Sequence, residues 1–283
     1  MTRALVTGAG GFVGRHLVDR LRADGLHVTA LTRGEVDLTD RAALERAVRT
    51  AAPDLAFHLA ASRVADRTVT TTVNALSGAW LVESLPEDCR AVIRLGSSTE
   101  YAASTAPMDE RTALEPRGFF GATKAAGSLL LTATAAERGL RSAVLRAFQV
   151  YGPGDHPGRL VPTVLRAART GQLLALTGPG RRRDWVWVGD VVDACVRAAA
   201  ADQLPAGTVL NVGTGVQTAN EELVALVEQV GGRPVQVAVD AHPGRHWDTG
   251  NWVCDPARAT ALLGWEPTVD LATGLRRCWE AQA

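Results

Sequence analysis

Lysine is almost missing from this 283-residue chain: arginine supplies 29 of its 30 basic side chains and Lys124 the other. Tyrosine is nearly as scarce, present only as Tyr101 and Tyr151. Thirty acidic residues balance the basic ones, so no overall field would draw nucleic acid or an anionic membrane. The four cysteines, Cys89, Cys195, Cys254 and Cys278, are far apart and form no Cys-x-x-Cys, which argues against a disulfide scaffold or a zinc cluster and for reduced thiols in a cytoplasmic protein. No apolar run approaches the roughly 20 residues of a membrane span. The apolar stretch Ala4-Leu5-Val6 runs straight into glycines, unlike a secretory signal.

What is present is a chain 46% hydrophobic, able to fill the core of one large α/β domain or of a large and a small one. Short apolar runs alternate with amphipathic stretches, the pattern of a parallel sheet with crossover helices. Strands are expected at 3–7, 27–32, 55–59, 91–96 and 142–148, and helices at 11–23, 41–51, 69–84 and 119–138. Residues 185–201 read as a strand turning into a helix, and 208–212 as one more core strand. The stretches 153–183 and 232–268 are rich in Gly, Pro and Trp and fit neither period. The fold class expected is α/β, a Rossmann-like doubly wound parallel sheet with a smaller C-terminal substrate-binding lobe. Residues 1–151 with 184–215 would form the dinucleotide-binding domain, and 152–183 with 216–283 the lobe, set over the sheet's carboxyl edge.

Thr7-Gly8-Ala9-Gly10-Gly11-Phe12-Val13-Gly14 follows a strand and opens a helix, the context a dinucleotide fingerprint needs. Glycines let the backbone approach a pyrophosphate, and the helix N-terminus offers amide donors. Further along come Asp37-Leu38, Pro53-Asp54 and His58-Leu59-Ala60-Ala61. In order and spacing these resemble the extended short-chain dehydrogenase/reductases, the NAD-dependent epimerase/dehydratase family. The resemblance implies that Asp37 and Leu38 border an adenine, Leu59, Ala60 and Ala61 the ribose and phosphate, and Phe148 the cofactor as well. An acidic residue at the end of the second strand would favour NAD, but Thr32 stands there with Arg33 next, so NADP(H) is expected to be preferred, with NAD(H) possible.

Lys124 lies in Phe119-Phe120-Gly121-Ala122-Thr123-Lys124, which resembles the family's Tyr-x-x-x-Lys helix with Phe120 in place of the tyrosine. Tyr101 and Tyr151 are followed four residues on by Thr105 and Asp155, so no Tyr-x-x-x-Lys exists elsewhere. Ser97-Ser98-Thr99-Glu100-Tyr101 resembles the family's serine segment and puts Ser97 at the catalytic hydroxyl position, with Ser98 and Thr99 beside the substrate. By resemblance Lys124 holds the nicotinamide ribose, while the proton donor is gone.

Arg183-Asp184-Trp185 resembles a segment that contacts the diphosphate of sugar nucleotides, although Arg183 and Asp184 could equally pair and brace the lobe. Gln149 replaces a common Asn, and His242-Pro243-Gly244 replaces an Arg-Pro-Gly, so two diphosphate contacts are weakened. Trp247 and Trp252 could stack on a flat ring or simply pack the lobe. His242 and His246 make a weak pair, and no metal is expected. The function expected is NAD(P)H-dependent reduction of a ketone on a polycyclic aromatic natural product, with a neighbouring phenol of the substrate as the expected source of the proton. The alternatives are a nucleotide-sugar 4-ketoreductase or epimerase and a non-catalytic NADP(H)-binding protein. The expected partner is a small-molecule substrate, with a homodimer admitted.

Overall fold

The computed structural model describes residues 1–177, 179–241 and 250–281. Six strands form one parallel sheet: β1 (Arg3–Thr7), β2 (His27–Leu31), β3 (Leu55–His58), β4 (Ala91–Ser97), β5 (Ser142–Ala147) and a later strand, β9 (Thr208–Val212). Their order is β2-β1-β3-β4-β5-β9, so the winding reverses between β1 and β3. That reversal opens a crevice at the carboxyl ends of β1 and β3, where such sheets take ligands.

Side chains alternate across the sheet as the period of two requires. Ala4, Val6, Phe57 and Ile93 join the core on one face, which includes residues of α1 (Phe12–Ala23) and α7 (Val188–Ala200). Leu5, Ala56 and Val92 join the core on the other, with residues of α2 (Arg41–Ala51), α4 (Ser77–Ser84) and α5 (Phe119–Glu137). Arg94 has the parity of Val92 and therefore enters the α4/α5 side, where it is fully buried.

The helix expected at 69–84 runs unbroken from Arg67 to Ser84, as α3 (Arg67–Thr71), a π-helical turn at Thr72–Leu76, and α4. Its threonines and valines are weak helix formers. Asn74 within the turn bonds outside the helix: its Oδ1 accepts from the Ser62 amide at 2.7 Å, and its amide nitrogen donates to Ser62 O at 2.9 Å.

Beyond β5 the chain builds a second, three-stranded sheet from β6 (Gln149–Tyr151), β8 (Arg182–Trp187) and β10 (Gln217–Ala219), with β8 in the middle. A two-stranded pair, β7 (Leu174–Ala175) and β11 (Val237–Ala238), and the helices α6 (Leu160–Thr170), α8 (Asn220–Gly231), α9 (Ala257–Leu263) and α10 (Leu271–Glu280) complete the described residues. β8 therefore belongs to this second sheet and not to the central one. No helix among the described residues is long and apolar enough to cross a membrane.

Candidate active site

The glycine loop and the end of β3 form one wall. Gly8 sits at φ +70°, and a Cβ on it would lie 2.6 Å from the Ala60 amide nitrogen, so only glycine lets the two segments meet. A Cβ on Gly14 would lie 2.1 Å from Gly8 O. Gly11 caps α1 without any side-chain bond, leaving the amides of the first turn without a side-chain acceptor. Thr32 closes the far side, its methyl 3.5 Å from the position of a Gly10 Cβ. Backbone donors at a helix N-terminus inside a side-chain-free cradle fit a dinucleotide pyrophosphate.

The end of β2 differs from the sequence reading, which found no carboxylate there. The chain turns back and Glu35 Oε2 accepts from the Thr32 amide at 2.8 Å. That backbone hydrogen bond holds the Glu35 carboxyl below its ordinary range. Glu35 was missed because it lies three residues beyond the position where the family's acid stands. Asp37 uses its Oδ1 on the Thr39 amide at 2.9 Å, which lowers its own pKa, and Leu38 packs against the α2/α4 core.

Ser97, Phe120 and Lys124 come together where β4 ends against the first turns of α5. A Cβ on Gly121 would meet Thr99 O at 2.3 Å, so the glycine lets α5 abut the Ser98–Glu100 turn. Lys124 Nζ donates to Leu95 O on β4 at 2.5 Å. Burial, with the nearby Arg94 charge second, pulls the Lys124 ammonium down to about 7. Ser97 Oγ accepts from the Thr99 amide at 3.2 Å and shares a 2.8 Å bond with Thr99 Oγ1, so it caps the turn. Ser98 is buried, and its Oγ accepts from the Trp252 indole at 2.8 Å. Ser98, expected beside the substrate, anchors the 250–254 segment through this bond. Trp252 packs beside Tyr101, Met108, Phe148 and Cys254.

Neither tyrosine can stand in for the missing one. Tyr101 is 1% exposed and donates to Asn211 Oδ1 at 2.7 Å; Tyr151 is wholly buried and donates to Asp270 O. Burial pushes the Tyr101 phenol up to about 12 and the Tyr151 phenol higher still.

In the second sheet Gln149 pairs with Trp185, and Arg183 lies two residues before Trp185 on the adjoining strand. Burial lowers Arg183 to about 10. Asp184 does not brace Arg183: its carboxylate accepts from the amides of Thr214, Gly215 and Cys254. His242, Pro243, Gly244, His246 and Trp247 lie outside the described residues.

Besides Glu35, three charged groups have no counterpart among the residues expected from the sequence. Arg94 passes beneath Gly78 and Gly127, where Cβ atoms would approach its guanidinium, and donates to Asn74 O at 2.6 Å. Glu100 is buried, bonded at 2.9 Å to Arg146 and at 2.8 Å to the Ser97 amide. Arg63 rests on Phe120, its Cζ 3.5 Å from the ring centroid. A charge within the apolar run of β4 was the available signal for Arg94; nothing local distinguished Arg63.

The depressed Lys124 implies a pH dependence. Unfolded, the amine stays protonated to about 10.5; folded, it loses its proton near 7, so the unfolded state binds the extra proton between these values. Stability of the cofactor-free protein is expected to rise from pH 7 to about 8.5. Above that, buried thiols such as Cys195, pushed up to about 12, reverse the sign because they ionise first in the unfolded chain. Urea midpoints across this window should climb in the wild type and flatten in Lys124→Met; parallel curves would refute the assignment.

Residues 4–213 match the model of the NAD dependent epimerase/dehydratase family. A UDP-glucose 4-epimerase of Mycolicibacterium smegmatis is 33% identical over 98% of this chain and 97% of its own. The UDP-glucose 4-epimerase of Thermotoga maritima, solved with UDP-glucose, superposes with a TM-score of 0.89 at 27% identity, covering 99% and 98% of the two chains. That of Thermus thermophilus, solved with NAD, gives 0.87 at 28% identity over the same shares. With its six-stranded parallel sheet, its glycine cradle and these similarities along nearly its whole length, the chain belongs to the NAD-dependent epimerase/dehydratase family.

Proposed function

We propose that this protein is a nicotinamide-dependent ketoreductase that works without a catalytic tyrosine. The observation that carries the reading is Phe120 four residues before Lys124, with both tyrosines locked in the interior. Epimerisation begins by oxidising an alcohol, which needs a base to take the hydroxyl proton. Reduction asks only that an alkoxide acquire one. When bound, the reduced nicotinamide supplies hydride. Thr7, Gly8, Gly10, Gly11, Phe12, Val13, Gly14, Thr32, Arg33, Asp37, Leu38, Leu59, Ala60, Ala61 and Phe148 are the residues assigned to hold it, with Lys124 at its ribose. Arg33 favours NADPH and the Glu35 carboxylate opposes a 2′-phosphate, so the preference is for NADPH without exclusion of NADH. Ser97 offers its hydroxyl to the carbonyl oxygen, and Phe120 presents an apolar wall.

For the substrate, the apolar Phe120 and the weakened diphosphate contacts at Gln149 and His242 support a flat ketone flanked by a phenol, as in a polycyclic aromatic natural product. Such a ketone brings its own proton to the reacting oxygen. The missing tyrosine is a feature shared with the atypical ketoreductase of simocyclinone biosynthesis, which acts on an angucyclinone. The relatives favour the second reading, a nucleotide-sugar 4-ketoreductase or epimerase: the epimerases of M. smegmatis and T. maritima are named for UDP-glucose. Arg183, half-buried on the second sheet, is the residue here that suits a diphosphate.

Following NADPH absorbance, then NADH, with a phenol-flanked polycyclic ketone, its deoxy analogue and a keto-sugar nucleotide separates the readings. The flanked ketone is expected to turn over, and the deoxy analogue about 10²–10⁴ more slowly. Phe120→Tyr should raise the rate on the deoxy analogue and add little on the flanked one. Faster turnover of the keto-sugar nucleotide would overturn the substrate class. Tight NADPH binding without turnover of any ketone would leave the non-catalytic alternative.

A further inference from the structure

We propose that Arg63 fills the electrostatic role left by the missing phenol, its guanidinium binding the carbonyl oxygen of the substrate as that oxygen becomes negative. This rests on the ketoreductase reading above. Arg63 lies in the loop between β3 and α3, with Cζ 3.5 Å from the centroid of the Phe120 ring. A tyrosine at position 120 would carry its hydroxyl on the rim of that same ring. A guanidinium resting on the ring face presents its fork of N–H donors beside that rim. Arg63 is exposed to solvent. Its charge is also among the smaller causes that lower Lys124.

Other contacts also hold the loop. Ser62 is already clamped through its amide and carbonyl by the Asn74 side chain, and Ser62 Oγ bonds Thr70 Oγ1 at 3.3 Å. Four residues beyond Arg63, Arg67 braces the loop's far end over Phe119, 5.0 Å from its centroid. The loop is thus pinned on both sides of Arg63.

Arginine is no general acid near neutral pH, so its contribution is to charge and not to proton transfer. Hydride from the reduced cofactor forms the new C–H bond, the carbonyl π pair moves to oxygen, and the cofactor leaves oxidised. The resulting alkoxide accepts hydrogen bonds from Arg63 and takes a proton from the adjacent phenol or from water. A phenolate so formed recovers its proton from solvent. Donors preorganised at such an oxygen act where charge develops, as in an oxyanion hole.

Two measurements test the assignment, one of them independent of turnover. In Arg63→Met, kcat on the flanked ketone should fall about 10²–10³-fold while the Kd for NADPH stays within about twofold, and Arg63→Lys should recover part of the loss. Separately, alizarin, a hydroxyanthraquinone whose colour reports its ionisation, is titrated on the NADP-loaded protein. The bound dye should ionise at least about one pH unit below the free dye in the wild type, and Arg63→Met should abolish that shift. A wild type without the shift, or a variant that keeps it, overturns the Arg63 proposal, as does an unchanged kcat. An Arg63-dependent shift in a protein that reduces no ketone would retain the anion site and remove the ketoreductase reading instead.

Discussion

Replacing Glu100 by alanine is expected to destabilise the protein by about 3–5 kcal/mol, the usual cost of stranding the partner of a buried ion pair. Glu100 is fully buried and Arg146, at 2.9 Å, nearly so. The carboxylate does more than neutralise one arginine. It accepts from the Ser97 amide and the Ser128 hydroxyl, and its charge also reaches Arg94 and Lys124. Two buried guanidiniums and, below about pH 7, the Lys124 ammonium therefore face this carboxylate, and its removal leaves each of them less compensated. Arg94 already has Nε and Nη1 without a hydrogen-bond partner, so its site has little reserve. Urea denaturation reads the loss directly. A change below about 1 kcal/mol would mean that the interior is solvated well enough to do without the pair. Because Glu100 also completes the cap on the Ser97 turn, the variant should lose Ser97 geometry along with stability.

Gly8→Ala carries the second large effect, on cofactor affinity. At φ +70° a residue with a Cβ is strained by about 1–2 kcal/mol. The greater obstacle is contact with backbone: the Ala60 nitrogen at 2.6 Å, its Cα at 2.7 Å and the Leu59 carbonyl carbon at 2.9 Å. No rotamer relieves these, so the loop must part from the end of β3. NADPH binding, followed by fluorescence titration, should weaken by about 100-fold, equivalent to about 2.7 kcal/mol. Gly10→Ala is the discriminating control, since its methyl meets only the Thr32 side chain at 3.5 Å and the fold should be kept. Retained affinity in Gly8→Ala, within about threefold, would show that the cradle does not form the pyrophosphate site.

Much of this was legible in the chain because the signals are local. The strand at Arg3–Thr7, the helix at Arg41–Ala51 and the strand at Thr208–Val212 fall where the apolar periodicity puts them. The spacing of Phe120 and Lys124 on one helix face needs nothing beyond the turn of an α-helix. The helix expected at 69–84 is present, but its π-helical turn was not legible, because Asn74 within it bonds Ser62, twelve residues earlier. The second sheet was illegible for a similar reason: β6, β8 and β10 are short and recognise one another only in space.

By itself the sequence determined the parallel sheet, the glycine turn into α1, the absence of any Tyr-x-x-x-Lys, and with them the family. These follow from side-chain period, from the conformational freedom of glycine and from the inability of phenylalanine to carry a proton, all of which act within a few residues. Only the tertiary structure decided that both tyrosines are sealed inside, that Ser98 anchors Trp252, that Glu35 turns its carboxylate to the end of β2, and that Arg63 lies on Phe120. Burial and charge proximity depend on distances between segments remote in sequence, here 154 residues for Trp252 and Ser98, and pattern within one segment does not carry them.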